Sequence, residues 1–414
     1  MVATAAAEPI TFSSPSRELR VRTSAMAEDR PLIYLNNAAT SWPKPPEVFA
    51  AVLESLSLPV FGSGRTTVSQ GEDYVTKARD ALSGLFGVET AEHVVFTQNA
   101  TDSLNVLIQG FLERHAGDCH VLTTALDHNS VLRPLHEYER QGRIRLTVLP
   151  FEDGRVSPAA VTEAITPMTR LMVTTHGSNV LGTAADIRGI GEVLHDHGAY
   201  FVVDGAQAAG HVPIDFESLP VDAYAFTGHK ALLGIAGTGG FVIKDPEAIA
   251  PVRFGGTGTD SFSLHHPAGM PERFEAGTHN YPGLAGLAAG VSFILSTGIE
   301  TIMEKAERQT AYLVGELAKE HNIRIYQDRP DLPIIAFNIR NLPNDDIGFI
   351  LARRYGIIVR TGLHCAPLVH RAIDGGEGCV RLSHSWFTTD EECRIAAGAV
   401  REIAQNADRP VSSA

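Results

Sequence analysis

Residues 199–230 read AYFVVDGAQAAGHVPIDFESLPVDAYAFTGHK. Tyr200–Val203 is a short apolar run, rich enough in aromatic and β-branched side chains to be a buried strand. It stops at Asp204. That places a carboxylate at the carboxyl end of a strand, the edge where open α/β sheets hold their ligands. A second run, Ala223–Phe226, delivers Thr227, Gly228, His229 and Lys230 to the same edge. An acid and an amine thus end neighbouring or nearby strands and can face one pocket.

Pyridoxal phosphate (PLP) chemistry uses such a pair. A lysine amine forms a Schiff base with the aldehyde, and a carboxylate keeps the pyridine nitrogen protonated so that the ring can accept electrons. Read singly, Asp204 is equally well described as a turn cap and Lys230 as an exposed amine in a Gly-rich loop. Read together, with Gln207 three places after the acid and His229 beside the amine, they favour the cofactor.

Around this stretch the hydrophobic periods alternate. Asp73–Phe86 reads as a helix, His93–Thr97 as a strand, Thr101–Glu113 as a helix and His120–Thr124 as a strand. The pattern continues through Leu171–Thr175 and Phe201–Asp204. Strands alternating with helices of this length predict βαβ units and a mainly parallel α/β sheet. We assign this PLP-binding large domain to residues 31–297, with segment 31–47 packing on the small domain and Pro282–Thr297 bridging the two. From about Gly298 the order becomes helix, strand, strand, helix, strand, strand, helix, which predicts a smaller α+β domain over 298–407. Glu47–Ser57 reads as a helix, and Phe61–Ser69 as a loop placed to cross to a partner subunit. Residues 1–30 have no apolar h-region, so they are not a secretory signal. They are expected to be a disordered tail or an over-long assigned start.

The chain has 414 residues, 44% of them hydrophobic, and a formal charge of −14. That charge disfavours nucleic acid or an anionic membrane as the main partner. No stretch of about 18 apolar residues is present to span a bilayer. The cysteines, Cys119, Cys365, Cys379 and Cys393, make no disulfide framework and no C-x-x-C zinc pattern. A reducing cytoplasm is the expected location, and no metal is expected. Glu192-x-x-His195-Asp196-His197 and His265-His266 read as solvated polar faces. Gly237–Gly240 lacks dinucleotide-binding spacing.

DGAQAAGH followed by TGHK resembles the class V aminotransferase fold, and within it the cysteine desulfurases and selenocysteine lyases. The resemblance runs from about Tyr34 to near Ala404. It implies PLP fold-type I architecture, with Lys230 as the catalytic amine and Asp204 on the ring nitrogen. Thr97-Gln98-Asn99-Ala100-Thr101-Asp102 lies between a strand and a helix, where free amides suit a dianion; by local pattern alone Thr101 is as well read as an N-cap. The resemblance gives Ala100 and Thr101 to the PLP phosphate, with Thr227 and His229 as side-chain donors there. It matches His128 to a histidine stacked on the ring, and Asn179 and Gln207 to groups bonding the phenolic oxygen. It also matches Thr278 to a residue donated across a homodimer. Departures are Asn36 where the family usually has Asp, expected to be neutral, and Asp127 and Asn129 flanking His128 where Glu and a second His are usual.

Arg360-Thr361-Gly362-Leu363-His364-Cys365-Ala366-Pro367 follows the expected strand Ile357–Val359. A cysteine in a Gly-containing loop beside a histidine and near an arginine sits where a thiolate is favoured, although most free cysteines are small buried hydrophobes. The stretch resembles the loop carrying the persulfide-forming nucleophile, with Leu363 replacing the first of two histidines. The loop is compact before Pro367, which favours an ordered nucleophile. Cys379 and Cys393 read as structural. Arg381 falls on a C-terminal strand, and its planar fork suits an α-carboxylate. Substrate binding is assigned to Arg381, Arg360 and Asn179, and catalysis to Lys230, Cys365 and His128.

The resemblance therefore implies a PLP-dependent desulfurase acting on L-cysteine, with Cys365 passing sulfur to an acceptor protein or small thiol. Selenocysteine lyase, another PLP-dependent C–S lyase or aminotransferase-fold reaction, and a non-catalytic sulfur-transfer scaffold remain open on the sequence.

Overall fold

A computed structural model describes residues 32–58, 73–115, 119–259 and 261–407. The expectations for residues 1–30 and for the loop 61–69 lie outside them. Seven strands form the large sheet, in the spatial order Val94–Thr97, Gly239–Ile243, Ala223–Thr227, Tyr200–Asp204, Thr169–Thr175, His120–Thr124, Arg145–Leu149. All pairings are parallel except the two made by Gly239–Ile243, which is antiparallel to both neighbours. Both faces are covered, as the continuous apolar runs require. Phe201 and Val203 face one core with Met172 and Tyr224, while Val202 faces the other with Leu171, Val173 and Ala223.

Register places the two ends of the opening stretch side by side. Asp204 is paired with Ala225 on one flank and Thr175 on the other. The strand that ends at Thr227 is therefore the direct neighbour of the strand that ends at Asp204. Gly205 is required at the turn. A Cβ there would lie 2.1 Å from the Tyr224 ring, and the Tyr224 hydroxyl is held by His176 Nδ1 at 2.9 Å.

The remaining chain builds a four-stranded antiparallel sheet, ordered Arg360–Gly362, Cys379–Ser383, Ile334–Ile339, Ile323–Ile325. Its own core includes Phe337, Val380, Leu313 and Val400. Two features differ from the sequence expectation. Arg360–Gly362 is a short strand rather than part of the loop, and a helix, Pro367–Ile373, follows the thiol turn directly. That helix opens with Pro at its first position, where the missing N–H costs nothing.

Near the N-terminus, Ile33–Tyr34 pairs in parallel with Ile357–Ile358. This pair is a separate two-stranded sheet; beyond it Asn37 N–H donates to Ser383 O of the four-stranded sheet at 3.1 Å, and Ser41 N–H donates to His229 O, just past the large-sheet strand Ala223–Thr227, at 3.0 Å. Among the described residues no single helix is long and apolar enough to cross a membrane, and the apolar pair Tyr281–Thr297 and Ile299–Leu317 is bent by 81°.

Candidate active site

A cavity of about 490 Å³ opens at the carboxyl ends of the central strands. Every site residue named from the sequence lines it, except Cys365 and Thr278. Its floor is Asp204, buried, with Oδ1 accepting from Ala206 N–H at 2.9 Å. Burial pushes its pKa up, against that hydrogen bond and the pull of Lys230. Lys230 is pushed down to about 8 by burial, although Asp204 opposes the shift. A usable fraction of neutral amine therefore exists near pH 7, the form that adds to a carbonyl.

The helix Ala100–Arg114 points its N-terminus into the same cavity. Asn99 caps it by accepting from Asp102 N–H at 3.0 Å. The amides of Ala100 and Thr101 have no intrahelical partner and sit at the positive end of the helix dipole. Gly239 allows the close approach of a strand here, since a Cβ would lie 2.5 Å from Asn99 Cα. Thr227 Oγ1 is buried without a partner.

His128 caps the next helix, Asn129–Arg140. Its Nδ1 accepts from Ser130 N–H at 3.0 Å, so the proton of the neutral ring is on Nε2. Burial, then the charges of Lys230, Arg360 and Arg381, push the imidazole down to about 4. Ser130 Oγ joins His128 Nδ1 and Thr101 Oγ1, each at 2.7 Å. Nothing in the sequence marked Ser130, because its value lies in joining two loops.

Asp127 holds this loop down. Its carboxylate accepts from Thr123 Oγ1 at 2.9 Å, from Thr124 N–H and Oγ1 at 2.8 Å each, and from Thr175 N–H at 2.6 Å. Burial still raises its pKa to about 7, against the Thr124 and Thr123 hydrogen bonds and with Asp204 adding to the rise.

On the opposite wall, Arg381 is buried on its strand with Arg360 as its cross-strand partner. Arg381 Nη1 donates to Asn179 O at 2.8 Å, and its Nε has no partner. Burial and the neighbouring Arg360 push it down to about 9. Asn36 Oδ1 lies 3.5 Å from Arg381 Nη2. The side chain at position 36 therefore reaches the guanidinium with a neutral amide oxygen. Gln207 Nε2 donates to Ala38 O at 3.0 Å, leaving Oε1 buried and unpartnered.

Cys365 is exposed and sits at the mouth of the cavity's arginine wall, its Sγ 3.8 Å from Arg360 Nη2. The turn has left-handed φ at Gly362, 94°, which glycine adopts freely, and at His364 and Cys365, 50° and 59°, where it is strained. Two hydrogen bonds from the large sheet's side hold it. Asn179 Nδ2 donates to His364 O at 2.7 Å, and Asn129 N–H donates to Cys365 O at 2.8 Å. Thr278 is exposed on a separate cavity of about 160 Å³ that it shares with Thr97 and Gln98. Its segment is anchored by Glu275, which Arg79 grips with two hydrogen bonds of 3.0 and 2.9 Å. Cys119, Cys379 and Cys393 are buried.

Residues 33–395 match the family model Aminotransferase class-V, and the chain belongs to that family. It is 33% identical over 402 residues to a probable cysteine desulfurase of Methanothermobacter thermautotrophicus, covering 93% of this chain and 98% of that protein. It is 33% identical over 392 residues to a cysteine desulfurase of Cronobacter sakazakii, covering 90% and 93%. Among solved structures it resembles a cysteine desulfurase of Escherichia coli in its S-sulfonic acid form, with TM-score 0.81, 27% identity and coverage of 91% and 95%. An apo cysteine desulfurase of Thermococcus onnurineus gives TM-score 0.82 at 29% identity, with coverage of 91% and 95%.

Proposed function

We propose that this chain is a PLP-dependent cysteine desulfurase, taking sulfur from L-cysteine to leave L-alanine and a persulfide on Cys365. The observation that carries the reading is a set of unsatisfied groups on one cavity. Thr227 Oγ1, Gln207 Oε1 and Arg381 Nε are buried without protein partners, beside the free amides of Ala100 and Thr101. Such groups are costly unless a ligand meets them. A phosphorylated hydroxypyridine and an amino-acid carboxylate have the chemistry to do so.

PLP, when bound, supplies an electron sink that makes an amino acid's α-proton acidic. In this reading Ala100, Thr101, Thr227 and His229 would hold the phosphate, and the neutral His128 ring would lie against the pyridine. Gln207 and Asn179 would bond the phenolic oxygen, and Asp204 would keep a proton on the ring nitrogen. Lys230 Nζ would hold the aldehyde and is the group that moves the substrate α-proton. Arg381 and Arg360 take the substrate carboxylate. Cys365 Sγ attacks the substrate sulfur, with Arg360 as the adjacent cation. A sulfur–sulfur bond forms and the carbon–sulfur bond breaks. The electron pair stays with the three-carbon fragment, which takes up a proton and leaves as alanine.

The sulfur then passes to an acceptor protein or small thiol. We place the enzyme in the cytoplasm as a homodimer whose partner subunit supplies Thr278 to the phosphate, and we divide the chain at 297/298. The test is to incubate pure holoenzyme with L-cysteine and a reductant, and to quantify sulfide and alanine for wild type, Lys230→Ala and Cys365→Ala. Wild type releases both in equal amounts, while each variant loses at least about 10³-fold of sulfide release. Equal output from all three contradicts the mechanism.

A further inference from the structure

We propose that His364, His370 and Cys379 form a binding site for one thiophilic d¹⁰ metal ion, zinc(II) or copper(I), behind the turn that presents Cys365. The ligands come from three elements: the turn itself, the helix Pro367–Ile373 and the strand Cys379–Ser383. Their sequence spacing matches no zinc pattern, so Cys379 reads from sequence as structural and no metal is expected there. Folding brings them together.

His364 Nδ1 and His370 Nε2 are 3.3 Å apart, and Cys379 Sγ lies 4.0 Å from that Nδ1. All three donor atoms lie within 4.8 Å of one another and all three residues are buried. A tetrahedral ion with nitrogen at about 2.0–2.1 Å and sulfur at about 2.3 Å holds such atoms roughly 3.3–3.6 Å apart. The cluster needs only a small contraction.

The outer partners set the direction of the lone pairs. His370 Nδ1 meets Asp374 Oδ2 at 2.6 Å, and His364 Nε2 meets Arg360 O at 3.4 Å. Each acceptor orients the ring to donate from the nitrogen it faces, so His364 Nδ1 and His370 Nε2 turn lone pairs toward one another. A metal ion between the two nitrogens satisfies both lone pairs; the alternative occupant is a single proton, which makes the contact an ordinary N–H···N hydrogen bond between neutral rings. A carboxylate behind a ligating imidazole is the usual outer shell of a metal-bound histidine. The adjacent soft sulfur completes a donor set that selects zinc or copper(I) over harder ions.

Cys365 is outside the set, because it is exposed and its sulfur lies against Arg360. His364 also lines the main cavity. An ion here would tie the strained turn to a helix and a strand, fixing the direction in which the neighbouring thiol is presented.

The test uses full-length enzyme produced with PLP in medium supplemented with zinc or copper, desalted, and analysed for metal per chain by plasma mass spectrometry. A cobalt(II)-supplemented preparation is read for the sulfur-to-metal charge-transfer band. Expected are about one ion per chain in wild type and Cys365→Ala, and at least tenfold less in Cys379→Ala and His370→Ala. Cys379→Ser loses the cobalt band, and Asp374→Asn retains metal about tenfold less tightly. Cofactor absorbance and circular dichroism check that each variant is folded. The zinc and copper preparations decide between the two ions. No retained metal in any wild-type preparation overturns the proposal, leaving a proton as the occupant. Full metal content in folded Cys379→Ala overturns it as well.

Discussion

The floor of the cavity and the turn that carries Cys365 are built by opposite means. Asp204 and the Thr227–Lys230 segment leave adjacent parallel strands, and their positions follow from sheet register and a glycine that fits under Tyr224. The thiol turn has left-handed backbone at His364 and Cys365 and is fixed by single hydrogen bonds to Asn179 and to the amide of Asn129. A packed sheet edge holds charged groups where burial can tune them. A strained turn docked by a few polar contacts exposes a sulfur and leaves it room to exchange partners. The difference maps onto two tasks: activation of the carbon needs rigidity, and delivery of sulfur needs access.

Damage to the floor should have the larger consequences. Asp204→Asn removes the buried carboxylate while keeping its shape. Activity with L-cysteine should fall by at least about 10²-fold, roughly 3 kcal/mol for a lost charge-assisted hydrogen bond, and steady-state kinetics with a PLP titration will measure it. An activity within about threefold of wild type would show that the floor does not depend on that charge.

The turn should respond more mildly and more selectively. Asn179→Ala leaves His364 O without its donor, a loss of about 1–3 kcal/mol for a buried carbonyl. Persulfide formation on Cys365, followed by intact mass spectrometry, should fall roughly tenfold or more. Solvent exchange of the substrate α-hydrogen should fall less. Equal losses in both would mean that Asn179 serves only the floor.

Acidity should probe the floor with the smallest effect. His128, His176 and His229 are each lowered to about 4, in every case chiefly by burial. Between about pH 6.5 and 4 the unfolded chain binds protons at these sites that the native chain does not, so they lower stability as pH falls through that window. Asp127, raised to about 7 chiefly by burial, acts oppositely, its native state holding a proton that the unfolded carboxyl has lost. The histidines outnumber it. The urea midpoint should drop from pH 7 to 4.5, and Asp127→Asn should make the drop steeper. A midpoint rising toward acid would contradict the histidine sign, and a drop no steeper in Asp127→Asn would contradict the Asp127 sign.

How far each region could be read from the sequence follows from the same contrast. Period and strand ends fixed the helix–strand alternation and put Asp204 and Lys230 at one edge, because both depend on neighbours a few residues away. Tyr200–Asp204 and His120–Thr124 lie within a residue of their expected bounds. Arg360 as a strand residue, Ser130 as a bridge between His128 and Thr101, and the cluster of His364, His370 and Cys379 were not legible. Each of these depends on contacts between segments distant in sequence, which local pattern does not encode. Asn36 was visible as a departure, but its contact with Arg381 required the fold.

The most direct test of the account is to treat the holoenzyme with borohydride and map the modified peptide by mass spectrometry. The account predicts a single pyridoxyl adduct on Lys230, and in the Lys230→Ala variant none on Lys44, whose Nζ lies 3.4 Å from His229 O. An adduct at any other lysine of the wild type, or none from a protein saturated with PLP, would contradict it.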